Sequence, residues 1–337
     1  MLDIKQQVKI VEGCRYDDIP EFVLASEQPL LLKGLVADWP LVQAGLQSDA
    51  EADAYLRKFY TDKSVVFYEA EAEKRGRFFY ADDCGSLDFK SSRARLDEVL
   101  DLLAASRAKS NSPTYYVGST TVDVCLPDFR ADNDLNINHL NPLVSIWIGN
   151  RSRVAAHYDA PDNIACCVVG KRRFTLFPIE QVENLYPGPM DFTPSGQIIS
   201  MVDFENPDYE KFPKFKTAVD HALVAELEPG DALLLPSMWW HHVESLSDFN
   251  VLVNYWWREY ERFMDVPTNV LHHAMLSIRD LPEKEKRAWK ALFDYYVFGP
   301  QEHKYDHIPE AAQGFLQPLD DRRARQLRAW LLNKLNR

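Results

Sequence analysis

The spacing of hydrophobic and polar positions changes twice along this chain and divides it into three stretches. Within residues 1–140, short apolar runs alternate with segments of helical apolar spacing, which predicts a mixed α/β segment. Residues 141–260 contain many short apolar segments separated by glycine and proline turns, a pattern typical of a jelly-roll barrel. Residues 261–337 return to helical spacing. We therefore predict a mainly β protein, with an α/β segment packed on a barrel and a C-terminal helical module.

The same pattern predicts the individual elements. In the N-terminal segment we expect strands at 29–34, 64–68, 77–80 and 114–119, and helices at 49–59 and 92–108. In the barrel we expect strands at 143–149, 157–159, 163–169, 173–178, 222–227, 232–236, 240–244 and 250–257, with an irregular excursion near 184–216. Helices are expected at 268–278, 283–297 and 320–335. Their apolar rows need a partner, which is either the barrel or a second chain.

Charge and composition narrow the function classes. The formal net charge is -13, and no basic stripe stands out, so nucleic acid is not expected as a partner. Two short basic runs, at 171–173 and 322–325, are interpreted first as solvated charge. No apolar run approaches the length that crosses a bilayer, so no membrane association is expected.

The cysteines indicate a reducing compartment. There are five, an odd number, with no CxxC spacing, and residues 1–5 lack the apolar core of a signal peptide. We therefore expect a cytoplasmic protein without a cysteine-rich zinc site. Cys166 and Cys167 are interpreted as small apolar strand residues that face opposite ways.

Candidate chemistry begins at His157-Tyr158-Asp159. On a strand, alternate residues share a face, so His157 and Asp159 point the same way. A second histidine would complete a facial triad, which leaves the opposite metal positions open. It can come from His241 or His242, but neighbouring strand residues face opposite ways, so at most one of them is a ligand. Glu244 shares the His242 face and suggests a solvated side, which favours His241 and leaves His242 open.

Further polar residues interrupt the predicted barrel strands. Arg172 follows the turn at Gly170, and its guanidinium fork matches a carboxylate, although composition alone favours solvated cations at a turn. Asn163 and Asn254 stand in otherwise apolar strands, and buried amides need partners. These amides are expected either to face a cavity or to cap local backbone.

Taken together, these segments resemble the Jumonji C family of iron(II)- and 2-oxoglutarate-dependent oxygenases, whose barrel is cupin-like. The resemblance rests on His157-Tyr158-Asp159, Gly170–Pro178, Pro229-Gly230-Asp231, Trp239-Trp240-His241 and Val253–Trp256. The closest resemblance is to the branch containing the asparaginyl hydroxylase that inhibits hypoxia-inducible factor, which the stretch 202–213 also resembles, and the stretch 29–40 resembles the entry segment of the same family. The likeness covers about residues 15 to 260 and is patchy from 45 to 140.

The resemblance implies a set of site residues. It implies that His157, Asp159 and His241 bind iron(II), and it favours His241 because the family uses the histidine directly after the tryptophan pair. It implies that Arg172, where the hydroxylase branch has lysine, and Tyr116 bind the far carboxylate of 2-oxoglutarate. The remaining implied positions complete the pocket: Asn163, Asn254 and Val243 around the co-substrate, Trp256 on the substrate side, and Val154 where the family has threonine.

The implied activity is oxygen-dependent hydroxylation of a protein or peptide side chain, with 2-oxoglutarate converted to succinate and CO2. Demethylation is the same chemistry at an N-methyl carbon. The alternatives are a small-molecule substrate, a metal-dependent isomerase that would not need Arg172, and a non-catalytic cupin that binds a small acid or peptide. In position, the helices after residue 260 resemble a dimerisation module, so a homodimer is expected.

Overall fold

The computed structural model describes residues 2–107, 109, 111–194 and 196–336. The chain divides into two compact units, Met1–Arg258 and Glu259–Arg337. The strands, in chain order, are β1 (Gln6–Gln7), β2 (Lys9–Val11), β3 (Leu30–Leu32), β4 (Ser64–Ala70), β5 (Arg77–Phe78), β6 (Lys90–Arg95), β7 (Thr114–Thr121), β8 (Leu143–Gly149), β9 (Ser152–Tyr158), β10 (Asp162–Val169), β11 (Arg172–Phe177), β12 (Leu223–Leu227), β13 (Ala232–Leu235), β14 (Trp240–Ser245) and β15 (Asn250–Trp257).

These strands form two sheets. The minor sheet has the order β1-β12-β11-β14-β9-β5, and the major sheet has the order β2-β3-β13-β10-β15-β8-β7-β4-β6. Side chains from both sheets, such as Phe174 and Val243 of the minor sheet and Cys167 and Leu252 of the major sheet, pack in one apolar cluster. Two sheets that share a core in this way form a jelly-roll barrel, which confirms the predicted fold class.

The N-terminal residues extend the barrel and also cover it. Strands β3 and β7 pair with β13 and β8, so they lengthen the major sheet on both sides. The helices of this unit are α1 (Glu21–Leu24), α2 (Pro40–Gln47), α3 (Asp49–Phe59), α4 (Leu96–Ser106), α5 (Val122–Cys125) and α6 (Phe215–Asp220). Apolar residues of α2 to α5 pack on the outer face of the major sheet, where Cys166 lies, while Cys167 faces the barrel interior. The two cysteines therefore face opposite ways, as predicted.

The helix predicted at 92–108 is wrong at its beginning. Residues Lys90–Arg95 form β6, which pairs antiparallel with β4, and the helix begins at Leu96. Ser91 and Ser92 are poor helix formers, and the pairing with β4 supplies backbone hydrogen bonds that a longer helix would forgo. The Arg95 N–H donates to the Glu98 carboxylate, which caps the helix at its true beginning.

The second unit is helical, as predicted. Its helices are α7 (Pro267–Ser277), α8 (Glu283–Phe293), α9 (Glu310–Gln313) and α10 (Asp321–Leu335), with a π-helical turn at Asp294–Phe298. Asp320 caps α10 by accepting a hydrogen bond from the Arg323 N–H. Within the described part of the chain, no helix combines the length and the apolar character needed to cross a bilayer.

The turn before β13 fastens the N-terminal segment to the barrel. Gly230 has φ +97°, a conformation that glycine adopts readily, and a Cβ there would press against Ala37. The adjacent Asp231 is buried, and its carboxylate accepts hydrogen bonds from Lys33 Nζ at 2.6 Å and from the Gly34 N–H at 3.0 Å. It also accepts from the Glu228 N–H at 2.9 Å, so one carboxylate satisfies three donors.

We expect Asp231→Ala to lower the free energy of unfolding by about 3 kcal/mol, because it removes a buried carboxylate that accepts three hydrogen bonds, one of them from the Lys33 ammonium. Urea denaturation monitored by circular dichroism measures this loss. Asp248→Ala is the matched control, since that carboxylate forms an exposed ion pair with Arg151 and should contribute less than about 1 kcal/mol. Equal losses in the two variants would contradict the structural role of Asp231.

Candidate metal centre

Three side chains converge at one end of the barrel interior. His157, Asp159 and His241 each offer one ligand atom, and these atoms all lie within 4.8 Å of one another. His241 Nε2 lies 3.8 Å from Asp159 Oδ2, and the two imidazole centroids are 4.3 Å apart. His157 and His241 are brought together because they are directly opposite in the antiparallel pair of β9 and β14.

A β-bulge directs His157 toward the interior. Between the pairs His241–His157 and Val243–Val154, β14 advances two residues while β9 advances three. Strict alternation would put Val154 and His157 on opposite faces, and the extra residue restores them to the same face. Ala156, within the bulge, packs instead in an apolar cluster with Trp240 on the other side of the sheet.

Backbone carbonyls fix both imidazoles in the tautomer that leaves Nε2 unprotonated. His157 Nδ1 donates to the Ala155 carbonyl at 2.9 Å, and His241 Nδ1 donates to the Trp239 carbonyl at 3.0 Å. Each ring therefore keeps its Nε2 lone pair for a ligand, as in many histidine metal sites. Two neutral imidazoles and one carboxylate are a donor set that suits iron(II) and leaves the opposite side of the ion open.

Burial also keeps the His241 imidazole neutral. His241 is 4% exposed, and burial, assisted by the neighbouring His157, lowers its pKa to about 4, although Asp159 opposes the shift. A histidine that stays neutral at physiological pH does not have to lose a proton before it binds a cation.

His242 points away from this cluster, but the reason given from the sequence is wrong. Its face is not solvated: His242 is buried, its ring lies 4.7 Å from the Phe204 ring, and burial lowers its pKa to about 3. Glu244 on the same face is only partly exposed, and burial raises the pKa of its carboxyl. Residues of the 184–216 excursion, including Phe204, cover this side of the minor sheet.

Arg172 and Arg173 are also not the solvated cations that composition favours. Both side chains are buried, and they lie on opposite faces of β11. Arg173 ion pairs with Glu226 and Glu244 at 3.9 Å. Arg172 is 1% exposed, and its Nε and Nη2 atoms have no hydrogen-bond partner. Burial raises the pKa of the Tyr116 hydroxyl, and interactions with Arg172 oppose this rise.

The structure places the two candidate amides together. Asn254 Nδ2 donates to Asn163 Oδ1 at 2.8 Å, across the pair of β10 and β15, while Asn254 Oδ1 has no partner. The amides therefore bind each other rather than cap local backbone. Val154 and Val243 are hydrophobic neighbours in the cluster between the sheets.

Sequence reasoning did not single out Trp147 on β8. Its ring stacks on Tyr116 at 5.8 Å and meets Trp256 edge-on at 5.9 Å, so it joins a predicted co-substrate residue to a predicted substrate-side residue. The indole Nε1 atoms of Trp147 and Trp256 are buried without partners. The polar and apolar alternation of 143–149 was the available signal, because Ser145 and Trp147 share one face.

A family comparison agrees with this geometry. The model of the cupin-like domain family matches residues 17–263, which is most of the chain. The chain belongs to the cupin-like domain family. The match includes strands β3 to β15 and the three converging ligands, so this cupin-like domain carries the candidate metal centre.

Several curated relatives are similar to parts of this cupin-like chain. Lysine-specific demethylase 8 of Xenopus tropicalis is 22% identical over 242 residues, which is 69% of this chain and 49% of that protein. HSPB1-associated protein 1 of Homo sapiens is 36% identical over 114 residues, 33% of this chain and 23% of that protein. JmjC domain-containing protein D of Dictyostelium discoideum is 38% identical over 120 residues, 34% of this chain and 25% of that protein. The chain spans about half or less of the length of these relatives.

We expect Asp159→Ala to abolish tight binding of iron(II), a loss larger than the roughly 10–100-fold that follows removal of an outer-shell partner. His242→Ala should leave binding nearly unchanged, because that ring faces the other side of the sheet. Anaerobic calorimetry with iron(II) measures both affinities, and circular dichroism confirms that both variants are folded. If His242→Ala lost iron(II) binding while Asp159→Ala retained it, the ligand set would include His242 and not Asp159.

Proposed function

We propose that this chain is an iron(II)- and 2-oxoglutarate-dependent oxygenase that hydroxylates a protein or peptide side chain, with formation of succinate and CO2. The observation that carries the proposal is the buried guanidinium of Arg172. A buried cation with unpaired donors is costly unless an anion completes it. A dicarboxylate whose other end reaches the metal centre would supply that anion.

Each polar group would have a separate task. His157, Asp159 and His241 would hold iron(II) on one side. When bound, the iron supplies the activation of O2 coupled to the decarboxylation of 2-oxoglutarate. Arg172 would bind the far carboxylate of 2-oxoglutarate through two nitrogens, and Tyr116 beside it would donate a further hydrogen bond. Asn163, Asn254 and Val243 would line the co-substrate pocket, and Trp256 would face the substrate.

Two departures from the family pattern support a distinct co-substrate pocket. Arg172 stands where the hydroxylase branch has lysine, and Val154 stands where the family has threonine. Val154 lies in an apolar cluster with Tyr116 and Trp147, so the pocket wall there offers no hydroxyl. The Arg172 guanidinium would compensate for the missing hydroxyl, because it donates two directed hydrogen bonds, whereas a lysine ammonium acts as a point charge.

Demethylation is the second candidate reaction, and the names of two relatives favour it. Lysine-specific demethylase 8 of Xenopus tropicalis and lysine-specific demethylase JMJ30 of Arabidopsis thaliana, the latter 28% identical over 179 residues, carry that activity in their names. In contrast, the stretch 202–213 resembles the asparaginyl hydroxylase branch, which supports hydroxylation. A demethylase releases formaldehyde in step with succinate, whereas a hydroxylase leaves one oxygen atom on its product.

The purified protein with iron(II), ascorbate and O2 is expected to convert 2-oxoglutarate to succinate, measured by NMR. Arg172→Ala should weaken 2-oxoglutarate binding by about 100-fold or more, because two charge-assisted hydrogen bonds are lost, while iron(II) binding is unchanged. Arg173→Ala is the matched control, because its side chain faces the other side of β11. A protein that binds iron(II) but neither binds nor consumes 2-oxoglutarate would refute the proposal and favour a non-catalytic cupin.

We also propose a cytoplasmic homodimer. All five cysteines are free thiols, which supports a reducing compartment. The helices of the second unit carry large apolar side chains that are exposed, which a second copy of the chain would cover. These exposed residues are Val270, Leu271 and Leu276 on α7, Trp289 and Leu292 on α8, and Trp330, Leu332 and Leu335 on α10.

Small-angle scattering should give about twice the chain mass of 38.9 kDa. Leu332→Glu is expected to shift the mass toward one chain, because it places a charge on an apolar face that would be buried in the dimer. Leu46→Glu is the control, since Leu46 is an equally exposed leucine on α2 of the first unit. A wild-type mass of one chain would rule out the dimer.

A further inference from the structure

Met238 has a backbone conformation that is unusual for its residue type. Its φ is +66°, in the left-handed region that glycine enters freely and that other residues rarely adopt. Met238 belongs to the loop Pro236–Trp239, which joins β13 to β14 and ends two residues before the ligand His241. Non-glycine residues are held in this region only where their surroundings require it, and such residues cluster at functional sites.

The hydrogen bonds of this loop show what requires the conformation. The Met238 N–H donates to the carbonyl of Asp159 at 2.8 Å. Its neighbour Ser237 donates through its N–H to Asp162 Oδ1 at 2.9 Å and through its hydroxyl to the Ala160 carbonyl at 2.7 Å. The loop that precedes His241 is thus bonded twice to the loop that carries Asp159 and once to Asp162, the first residue of β10.

The same loop also orients the histidine. The carbonyl of Trp239, the next residue, accepts the hydrogen bond from His241 Nδ1 at 3.0 Å. Met238 therefore lies between the bond that holds Asp159 and the bond that holds His241. A change of φ at Met238 alone would reorient its N–H relative to the Trp239 carbonyl, so one of the two hydrogen bonds would be lost.

We propose that Met238 is a positioning residue of the metal centre, which acts through its left-handed backbone and not through its side chain. Its conformation joins the loops of two ligands, Asp159 and His241, and holds them at a fixed separation before metal arrives. Asp159 needs such a support because it follows the last residue of β9, beyond the regular strand. The inference rests on the proposed function only in taking this cluster as a metal site.

The test compares valine substitutions at two residues that have the same φ. Asp128 also has φ +66°, is exposed, and precedes the short turn Phe129–Ala131 in a different part of the unit. Met238→Val and Asp128→Val should both lower the melting temperature, because a β-branched residue fits this region poorly. Only Met238→Val is expected to weaken cobalt(II) binding, by about 10–100-fold, and to change the visible absorption spectrum of the bound cobalt.

Met238→Gly separates the backbone from the side chain. Glycine keeps the left-handed conformation without strain, so this variant should retain wild-type cobalt(II) affinity and spectrum and melt at the same or a higher temperature. Calorimetry is performed below the melting transition of every variant. Wild-type affinity and spectrum in Met238→Val would overturn the inference, and so would a loss of affinity in Met238→Gly as large as in Met238→Val.

The two proposals fail in distinguishable ways. Cobalt(II) binding does not require 2-oxoglutarate or turnover, so Met238 can be a positioning residue in a protein that proves to be a non-catalytic cupin. Conversely, an active oxygenase in which Met238→Val binds cobalt(II) normally would retain the proposed function and lose only this inference.

Discussion

The register between β9 and β14 is the constraint on which the candidate site depends. It sets His157 opposite His241, and the bulge within the same pair returns His157 to the inner face. A slip of one residue would exchange His241 for His242 and would move every alternate side chain to the wrong face. Register is strongly specified here because both faces of β14 are buried, with Val243 between the sheets and Trp240 in the outer cluster.

Burial on both faces also explains how the polar groups are distributed. Each sheet presents charged or hydrogen-bonding side chains to the barrel interior only at a few positions, and several of them lack full partners in the protein: Arg172, Asn254, Trp147 and Trp256. Most buried polar atoms in native proteins are satisfied, so a group of unsatisfied ones in a single interior is informative. Together with the three converging metal ligands, this group supports the proposed co-substrate pocket.

Strand alternation is a local property, so which residues of one strand share a face could be predicted from the sequence. The opposite orientations of Cys166 and Cys167 follow from neighbouring residues alone, whereas Asp159 lies beyond the end of β9, where strand alternation does not fix its direction. The bulge between Val154 and His157, the burial of His242 and the strand at Lys90–Arg95 could not be predicted in this way. They depend on contacts with distant segments: Phe204 covers His242, and β4 recruits residues that would otherwise begin a helix. The family resemblance favours His241 independently of solvation, and the solvated face expected for His242 is wrong because the ring is buried against Phe204.

The excursion that follows β11 has a consequence for how a substrate can approach. Strand β9 pairs with β5 at Arg153 and Val154, and at its other end His157 pairs with Ile199 of the returning excursion. The Ser200 N–H donates to the Ala156 carbonyl at 2.7 Å, beside the bulge. The outer edge of β9 beside the metal ligands is therefore occupied by the chain itself. A peptide cannot dock there as an added strand, so under the proposed function a peptide substrate would be recognised close to the metal by side chains and loop backbone.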